Sequence, residues 1–323
     1  MESFNSKLKK ELCQLLPTDN ELALSFLSAI IKSIGEISKS KKGFSIVIKT
    51  ELLDIYNCLN KVLSNLYGTS AELSISDDVG YDDRVKYEII FPEKFTNQIL
   101  QDCEIISYDE NKFVQINGGI SKYLIDTEEK ILSYIKGLFI ACGTTNIVLS
   151  TKEGNNKSSG YHLEFVFSSE QLALDFMQAL AEINIFAKKV ERKEYYVVYL
   201  QDFQQIINLL GLLKATKSFL DLQNENAYRE MRNNVNRQNN CSTANITKMV
   251  NASMEQLNAI KVIQDTVGIE SLDDNLKQVC YLRLANPEET LDSLVKLSMN
   301  KISKSGLYHR FQKIIKIAKE IKQ

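Results

Sequence analysis

Two short stretches, LSAIIKSIG (residues 27–35) and IKGLFIACG (residues 135–143), decide the fold of the first two thirds of the chain. Each is an apolar run with the length of a helix segment, and each ends on a glycine, where helices commonly stop. Small side chains within both runs would allow close approach of another helix backbone. These small residues are Ser28, Ala29, Ser33, Gly137 and Ala141.

The elements around the two stretches follow one order: helix, strands, helix, strands, helix. The copies are offset by roughly 110 residues, which indicates a duplicated unit. The strand patterns are FSIVIKT (44–50), IVLST (147–151), YHLEFVFSS (161–169) with His162, IFAKKVERK (185–193) and EYYVVYL (194–200). Strands joined by hairpins, with helices on one face, predict an α+β domain over residues 1–221, with pseudo-repeats at about 18–110 and 128–215.

The two stretches resemble the paired helical motifs of LAGLIDADG homing endonucleases. In that fold the two helices pack against each other along small residues, so the resemblance implies the same packing here. In active members of that family, an acidic residue directly before the last glycine of each motif binds the divalent ions that cut DNA. This chemistry needs hard anionic oxygens. The corresponding positions here are Ile34 and Cys142, and neither side chain can ligate a hard metal. The resemblance therefore implies a degenerate nuclease-like domain that is not an enzyme and holds no metal or cofactor.

Charge is unevenly distributed along the chain. Residues 222–323 contain 15 Lys and Arg against 11 Asp and Glu, whereas residues 1–221 contain 24 against 30. A basic terminal segment suggests a polyanionic partner, and a solvated lysine face fits the charge equally well. The acidic first domain argues against strong binding of duplex DNA by residues 1–221, because phosphate contacts dominate that affinity.

From residue 222 onward, helical patterns replace strands and predict an all-α domain. A long helix is expected to begin at Ser242 or Thr243 and to end at Gly268. Three shorter helices follow it. The apolar positions of the first three of these helices are Ile246, Met249, Val250, Met254, Leu257 and Ile260 in the first, Leu276, Val279, Cys280 and Leu284 in the second, and Leu291, Leu294, Val295 and Leu297 in the third.

The last helix has the pattern of a DNA recognition helix. Ser303 is a good N-cap, and Leu307, Phe311, Ile314, Ile315 and Ala318 form an apolar stripe along one side. The opposite side is polar and basic, which suits contacts with base edges and phosphates. We predict a helix-turn-helix at about residues 276–315. It resembles the DNA-reading helix pair of region 4 in bacterial sigma factors, and an ordinary three-helix bundle with a lysine-rich face is the alternative.

We expect this helix to contact double-stranded DNA, with a second group of arginines upstream holding phosphates. The residues of this predicted interface are Ser303, Lys304, Ser305, Tyr308, His309, Arg310, Lys313, Lys316, Arg229, Arg232 and Arg237. For the three arginines, the polar surface of a connecting helix is an equally good interpretation.

Two further segments, MRNNVNRQNNCSTANITKMV (231–250) and SKSGLYHRFQKI (303–314), resemble signature segments of the WhiA family of bacterial regulators of sporulation and cell division. The resemblance runs the whole length of the chain. It implies a sequence-specific DNA-binding protein, a transcriptional regulator linked to cell division and chromosome segregation. An alternative from another class is a protein-interaction platform, in which residues 1–221 dock a second regulator and DNA binding is accessory.

The remaining sequence features fit an intracellular protein. The six cysteines lie far apart, with no Cys-x-x-Cys, and there are two histidines, so neither a zinc site nor a disulfide framework is expected. The N-terminus lacks the apolar core of a signal peptide, and no stretch is long enough to span a bilayer. We therefore expect a cytoplasmic, nucleoid-associated protein.

Overall fold

The computed structural model describes residues 2–41, 43–75, 85–147, 160–298 and 302–322. The chain divides into two compact units, Met1–Ala227 and Tyr228–Gln323, and each has its own hydrophobic core. Within the described ranges, no helix combines the length and the apolar character that crossing a bilayer requires.

The first unit contains two successive α/β sets. The elements of the first set are α1 (Phe4–Gln14), α2 (Asn20–Ile34), β1 (Gly35–Ser40), β2 (Gly43–Thr50), α3 (Leu53–Tyr67), β3 (Glu72–Ile75), β4 (Tyr87–Ile90) and α4 (Glu93–Asp102). A small hairpin follows, β5 (Ile106–Tyr108) and β6 (Val114–Ile116). The elements of the second set are α5 (Glu128–Cys142), β7 (Gly143–Thr145), β8 (Leu163–Phe167), α6 (Glu170–Glu182), β9 (Lys188–Arg192), β10 (Tyr195–Leu200) and α7 (Phe203–Leu212).

The two main sheets have the same topology, which confirms the duplication. Their strand orders are β1-β2-β4-β3 and β7-β8-β10-β9, and all of these pairs are antiparallel. In β8 the side chains alternate between buried and half-buried, so one face of the sheet packs on the helices and the other does not.

Helices α2 and α5 pack against each other along their small residues, as the sequence predicts. A side chain on Gly137 would overlap the carbonyl oxygen of Phe26 and meet the Cβ of Ala29 at 3.2 Å. The Ser133 hydroxyl donates across the same interface to the carbonyl of Leu22, at 2.6 Å. Ser28 has a different role, because its hydroxyl donates to the carbonyl of Cys103.

Each of these two helices passes directly into a strand at its terminal glycine. Gly35 and Gly143 have extended backbone angles, so the chain turns without a linker. A Cβ at Gly35 would overlap the carbonyl oxygen of Ile31, and one at Gly143 would press on the ring of Phe139. The sharp turn from helix to strand therefore requires glycine at both positions.

Two details of the second set differ from the sequence prediction. The strand that pairs with β8 comes directly after α5 as β7, whereas residues 148–151 of the predicted strand IVLST lie outside the described residues. His162 precedes β8 and is not part of it. Its ring contacts the carboxylate of Glu164, with 2.8 Å between Nε2 and Oε2, and stacks on Tyr199.

The second unit is helical. The elements from residue 216 onward are α8 (Thr216–Thr266), α9 (Asp274–Ala285), α10 (Leu291–Leu297) and α11 (Lys304–Lys322). The predicted helix start at Ser242 or Thr243 is wrong, because α8 is continuous from residue 216. Neither residue needs to act as a cap, since the turns before them are already helical.

The buried side of α8 in the second unit also differs from the sequence prediction. Ser253, Gln256, Ala259, Ile260 and Ile263 are buried. The predicted apolar positions Ile246, Val250 and Met254 are instead exposed. The reason is that burial depends on which turns of a long helix meet a partner, and sequence periodicity does not contain that information.

Candidate nucleic-acid interface

Helix α11 begins at a side-chain cap. The backbone N–H of Gly306 donates to the Ser303 hydroxyl at 3.1 Å, and the N–H of Leu307 donates to the carbonyl of Ser303 at 2.9 Å. These bonds occupy two of the free N–H groups that every helix start leaves. Ser303 therefore fixes where the helix begins and which side chains its first turn exposes.

One side of α11 is held in the core of the second unit. Its buried residues are Leu307, Phe311, Ile314, Ile315 and Ala318, as the apolar stripe predicts. The other side faces solvent. Its exposed residues are Lys304, Ser305, Tyr308, His309, Gln312, Lys313 and Lys316, whereas Arg310 is half-buried at the border. We call this exposed set the α11 face.

The α11 face carries three ammonium groups, and each has an acidic neighbour. Lys304 lies 2.6 Å from Asp292, Lys313 lies 3.3 Å from Asp273 and Lys316 lies 3.9 Å from Glu320. All six side chains are more than half exposed, so these ion pairs are weak and exchange readily with other anions.

Tyr308 and His309 add aromatic and hydrogen-bonding groups to the same face. Their ring centroids are 5.7 Å apart, in an edge-on arrangement, and Tyr308 is 49% exposed. A phenol hydroxyl and an imidazole can each donate or accept hydrogen bonds. The face therefore combines cations with groups able to read a base edge.

Helix α10 supports α11 through fewer residues than the sequence predicts. Thr290 caps it, because its hydroxyl accepts from the N–H of Ser293 at 3.0 Å. Leu294 is fully buried, and Leu291 and Val295 pack partly against the core. Leu297 is 52% exposed, so its predicted burial is wrong. The helix is only two turns long and leaves its last turn in solvent.

Arg283 on α9 is a structural residue that the sequence prediction missed. It is 2% exposed, whereas Leu284, predicted to point inward, is 40% exposed. The guanidinium donates to Gln256 Oε1 at 3.0 Å, to the carbonyl of Glu289 at 2.7 Å and to that of Asn286 at 3.3 Å. It also lies 5.3 Å from the ring centroid of Phe311.

Arg283 therefore ties α8, the loop before α10 and α11 together. Burial lowers the pKa of the Arg283 guanidinium below its ordinary value. The three acceptors form hydrogen bonds with its N–H groups. A signal was present, because residues 276, 279, 280 and 283 follow the spacing of one helix face. The charge of the side chain argued against placing it inside.

The three upstream arginines do not extend the α11 face. Arg229 is 8% exposed and already makes an interaction, so its predicted phosphate contact is inconsistent with its position. Arg232 and Arg237 are exposed on α8. They precede Ala259, where α8 joins the helical core, by roughly 30–40 Å at the rise of an α-helix. The structure therefore separates them from α11.

The ends of α2 and α5 are the positions at which the sequence predicts that metal ligands have been lost. Ile34 and Cys142, the final residues of these helices, are half-buried. Lys9 of α1 is 8% exposed, and its ammonium lies 3.5 Å from the carbonyl oxygen of Ala141. Burial raises the pKa of the Cys142 thiol to about 11 and lowers the pKa of Lys9 below its ordinary value.

These residues do not fit the magnesium ions that the nuclease fold implies. A hard divalent cation requires several oxygen ligands, and the helix ends instead present an aliphatic chain, a protonated thiol and an ammonium group. No cluster of three or more His, Cys, Asp or Glu side chains with metal-binding geometry occurs among the described residues.

Three family models match the chain in succession. The model described as the WhiA N-terminal LAGLIDADG-like domain matches residues 20–106, and that of the WhiA LAGLIDADG-like domain matches residues 131–232. The model of the WhiA C-terminal HTH domain matches residues 235–318. The architecture is therefore two LAGLIDADG-like stretches followed by a helix-turn-helix domain.

Two relatives match the chain over nearly its whole length. Two proteins named "Probable cell division protein WhiA" are 35% identical over 322 residues (Clostridium botulinum, strain Hall) and 34% identical over 320 residues (Clostridium perfringens, strain SM101). The matches cover 99% of this chain and 99% and 98% of those proteins. The crystal structure of full-length WhiA from Thermotoga maritima matches 97% of this chain and 96% of its own, with a TM-score of 0.55 and 22% identity. The chain belongs to the WhiA family.

Proposed function

We propose that this protein binds double-stranded DNA with sequence preference through the α11 face, and that it acts as a non-catalytic regulator linked to cell division and chromosome segregation. The observation that carries the proposal is that the two sides of α11 differ. Five apolar side chains fix one side in the core, and the opposite side presents cations and hydrogen-bonding groups together. A helix held in this way can enter a major groove without unfolding anything.

Each residue of the face has a distinct expected role. Lys304, Lys313 and Lys316 would contact phosphates, exchanging their exposed carboxylate neighbours for the backbone of DNA. Ser305, Tyr308 and His309 lie in the first turns and would reach base edges. Ser303 keeps the helix start in place, where the helix dipole favours phosphate. Arg310 at the border would contact a phosphate or a guanine.

Binding assays on the full chain test these roles. A duplex selected from a random library serves as the preferred sequence, and a scrambled duplex serves as the reference. We expect Lys304→Glu to weaken binding to both duplexes by about tenfold, because it removes a phosphate contact and adds repulsion. Lys261→Glu, an exposed charge reversal on α8, is the matched control and should have little effect.

Tyr308→Ala and His309→Ala should act differently. They are expected to reduce the ratio between preferred and scrambled duplexes by about 5- to 50-fold, with a smaller change in binding to the scrambled one. If both variants and Lys304→Glu bound like the unaltered chain, the α11 face would not be the DNA site.

Lys304→Met should also reduce the salt dependence of binding by about one phosphate contact.

The absence of catalysis forms a separate part of the proposal. It is supported by Ile34 and Cys142 at the positions where hard-metal ligands are needed, and by the ammonium of Lys9 beside them. We expect no nicking of supercoiled plasmid by the purified protein with Mg²⁺ or Mn²⁺. Metal-dependent conversion to open-circle or linear plasmid would contradict this part alone.

A second role, the docking of another regulatory protein by residues 1–221, is favoured by one surface feature. Phe113 and Ile116 of the β5–β6 hairpin segment are 70% and 77% exposed. Large exposed apolar side chains in one segment are common at protein interaction sites. A photo-crosslinking residue at position 116 is expected to trap one defined protein in cells, and a crosslinking residue at Glu110, in the same hairpin, is the control.

The proposal places the protein in the cytoplasm, associated with the nucleoid, because its partner is chromosomal DNA. A fluorescent fusion should coincide with the DNA stain, and the Lys304→Glu variant should spread through the cell. Equal nucleoid signal for both would mean that α11 does not direct the localisation.

A further inference from the structure

A cavity of about 590 Å³ lies in the first unit beside α1 and the ends of α2 and α5. Its lining includes Ile34 at the end of α2, Ala141 near the end of α5 and Lys9 of α1. Lys49 at the end of β2 and Lys86 just before β4 also line it. The cavity therefore occupies the position where the nuclease fold does its metal chemistry, although the residues around it are different.

Lys9 is the unusual residue of this cavity. Its side chain is buried, and within the described part of the chain no carboxylate lies within 4 Å of its ammonium nitrogen. The carbonyl of Ala141 accepts one bond, at the long distance of 3.5 Å. An ammonium has three donors, so the remaining donor capacity is available to a group inside the cavity.

Lys130 is a second buried lysine among the described residues, and its ammonium has the carboxylate partners that Lys9 lacks. Lys130 is 5% exposed, and its ammonium contacts Glu21 at 2.8 Å and Asp126 at 3.0 Å. Buried charges normally have such partners because an unpaired buried charge costs free energy. Lys9 lacks a comparable carboxylate partner within the described residues, so its ammonium can accept an anion from the cavity as a counter-ion.

The other charged residues that line the cavity are mostly basic, like Lys9. Lys49 and Lys86 both line it, and Glu51 is the acidic residue on the lining. Lys49 also lies 3.4 Å from Glu36, in an exposed pair that an anion can displace, and 3.9 Å from the half-buried Glu88. Three ammonium groups against one carboxylate around a cavity favour an anionic ligand.

We propose that this cavity binds a phosphate group, with the ammonium of Lys9 as its buried contact and Lys49 and Lys86 at the mouth. The volume is within the range of small-molecule sites, so a nucleotide fits as well as a single phosphate. The chemistry is shared by two sources, a free phosphorylated metabolite and the backbone of a nucleic acid. In this arrangement lysine supplies the positive charge that metal ions supply in the nucleases of this fold.

Calorimetric titration of the full chain tests the proposal, with inorganic phosphate and ADP as the small probes and a short DNA duplex as the polymeric one. Lys9→Met removes the buried ammonium and keeps an apolar chain of similar length. Lys7→Met is the matched control, because Lys7 is on the same helix and pairs with Asp221 away from this cavity. Lys86→Met probes the mouth without touching the buried residue.

The expected result is saturable binding of ADP that Lys9→Met weakens by about tenfold or more, Lys86→Met weakens by a smaller factor, and Lys7→Met leaves unchanged. If only duplex binding responds to Lys9→Met, the phosphate comes from a nucleic acid backbone, and the site stands. If neither probe distinguishes Lys9→Met from Lys7→Met, there is no phosphate site.

Thermal melting of Lys9→Met confirms that the variant is folded, since methionine suits a buried position. The α11 variants are independent of this outcome.

Discussion

The two units differ in where they place their lysines. The first unit buries lysines: Lys9 and Lys130 are 8% and 5% exposed, within a part of the chain where acidic residues outnumber basic ones. In the second unit, Lys304 and Lys313 have side chains that are 61% and 59% exposed, on one face of one helix. A buried ammonium can bind only the groups packed beside it, whereas an exposed ammonium can bind a long polyanion. Among the described residues, the buried lysines therefore lie in the first unit, whereas the buried cations of the second unit are the arginines Arg229 and Arg283.

The units also differ in what holds them together. The first depends on close contact between α2 and α5, where Gly137 leaves no room for a side chain. The second depends on a small apolar core together with the buried guanidinium of Arg283. Substitutions at these two positions should therefore destabilise different parts of the chain. The following predictions test that difference in order of expected effect.

The largest effect is expected for Gly137→Ala. The new methyl group would overlap the backbone of Phe26, so α2 and α5 must separate, at a cost of about 3 kcal/mol in the free energy of unfolding. Gly211→Ala is the matched control, because a Cβ there meets Phe219 at an ordinary 3.6 Å. Urea denaturation measures both, and hydrogen exchange of peptides should localise the loss to the first unit. Equal stability of the two variants would contradict the close packing.

An intermediate effect is expected for Arg283→Met. It leaves Gln256 and the carbonyls of Asn286 and Glu289 without their donor, which should cost about 2 kcal/mol. Faster hydrogen exchange should appear in α9, α10 and α11, with no change in the first unit. Arg237→Met, an exposed arginine on α8, should change stability by less than about 0.5 kcal/mol. Uniform acceleration across both units would mean that they do not unfold separately.

The smallest effect concerns pH. Lys32 donates to the carbonyls of Asn117 and Gly119, and burial lowers its pKa from an ordinary 10.5 to about 8. The unfolded chain keeps this proton up to a higher pH than the folded one, so the free energy of unfolding should rise between pH 8 and pH 10.5. We expect Lys32→Met to remove on the order of 1 kcal/mol of this rise, relative to the exposed control Lys61→Met. Parallel pH profiles for the two variants, measured by urea denaturation, would contradict the assignment.

Much of the fold follows from local patterns. The helix starts at Asp19 and Thr127 coincide with side chains that accept backbone N–H groups, and the end of α3 coincides with Gly68 in a left-handed conformation. The buried stripe of α11 follows from its spacing alone. These features are predictable because each is decided within a few residues along the chain.

Other features depend on partners that are distant in sequence. Leu297 and Met254 are apolar and have helix-compatible spacing, and they are nonetheless exposed because no neighbouring element covers them. Arg283 is charged and is nonetheless buried, because Gln256 and two loop carbonyls provide its acceptors. No local pattern identifies such acceptors, and the same limit applies to Lys9 and the cavity beside Ala141.

The sequence by itself determined the duplication, the loss of acidic residues at Ile34 and Cys142, and the two-sided character of the last helix. It determined them because residue identity and periodicity are properties of the chain alone. Only the tertiary structure decided that α8 is one helix and that Arg229 is buried. It also decided that the ammonium of Lys9, from α1, lies beside the end of α5. Those outcomes depend on which distant segments meet, and burial and charge pairing exist only once they have met.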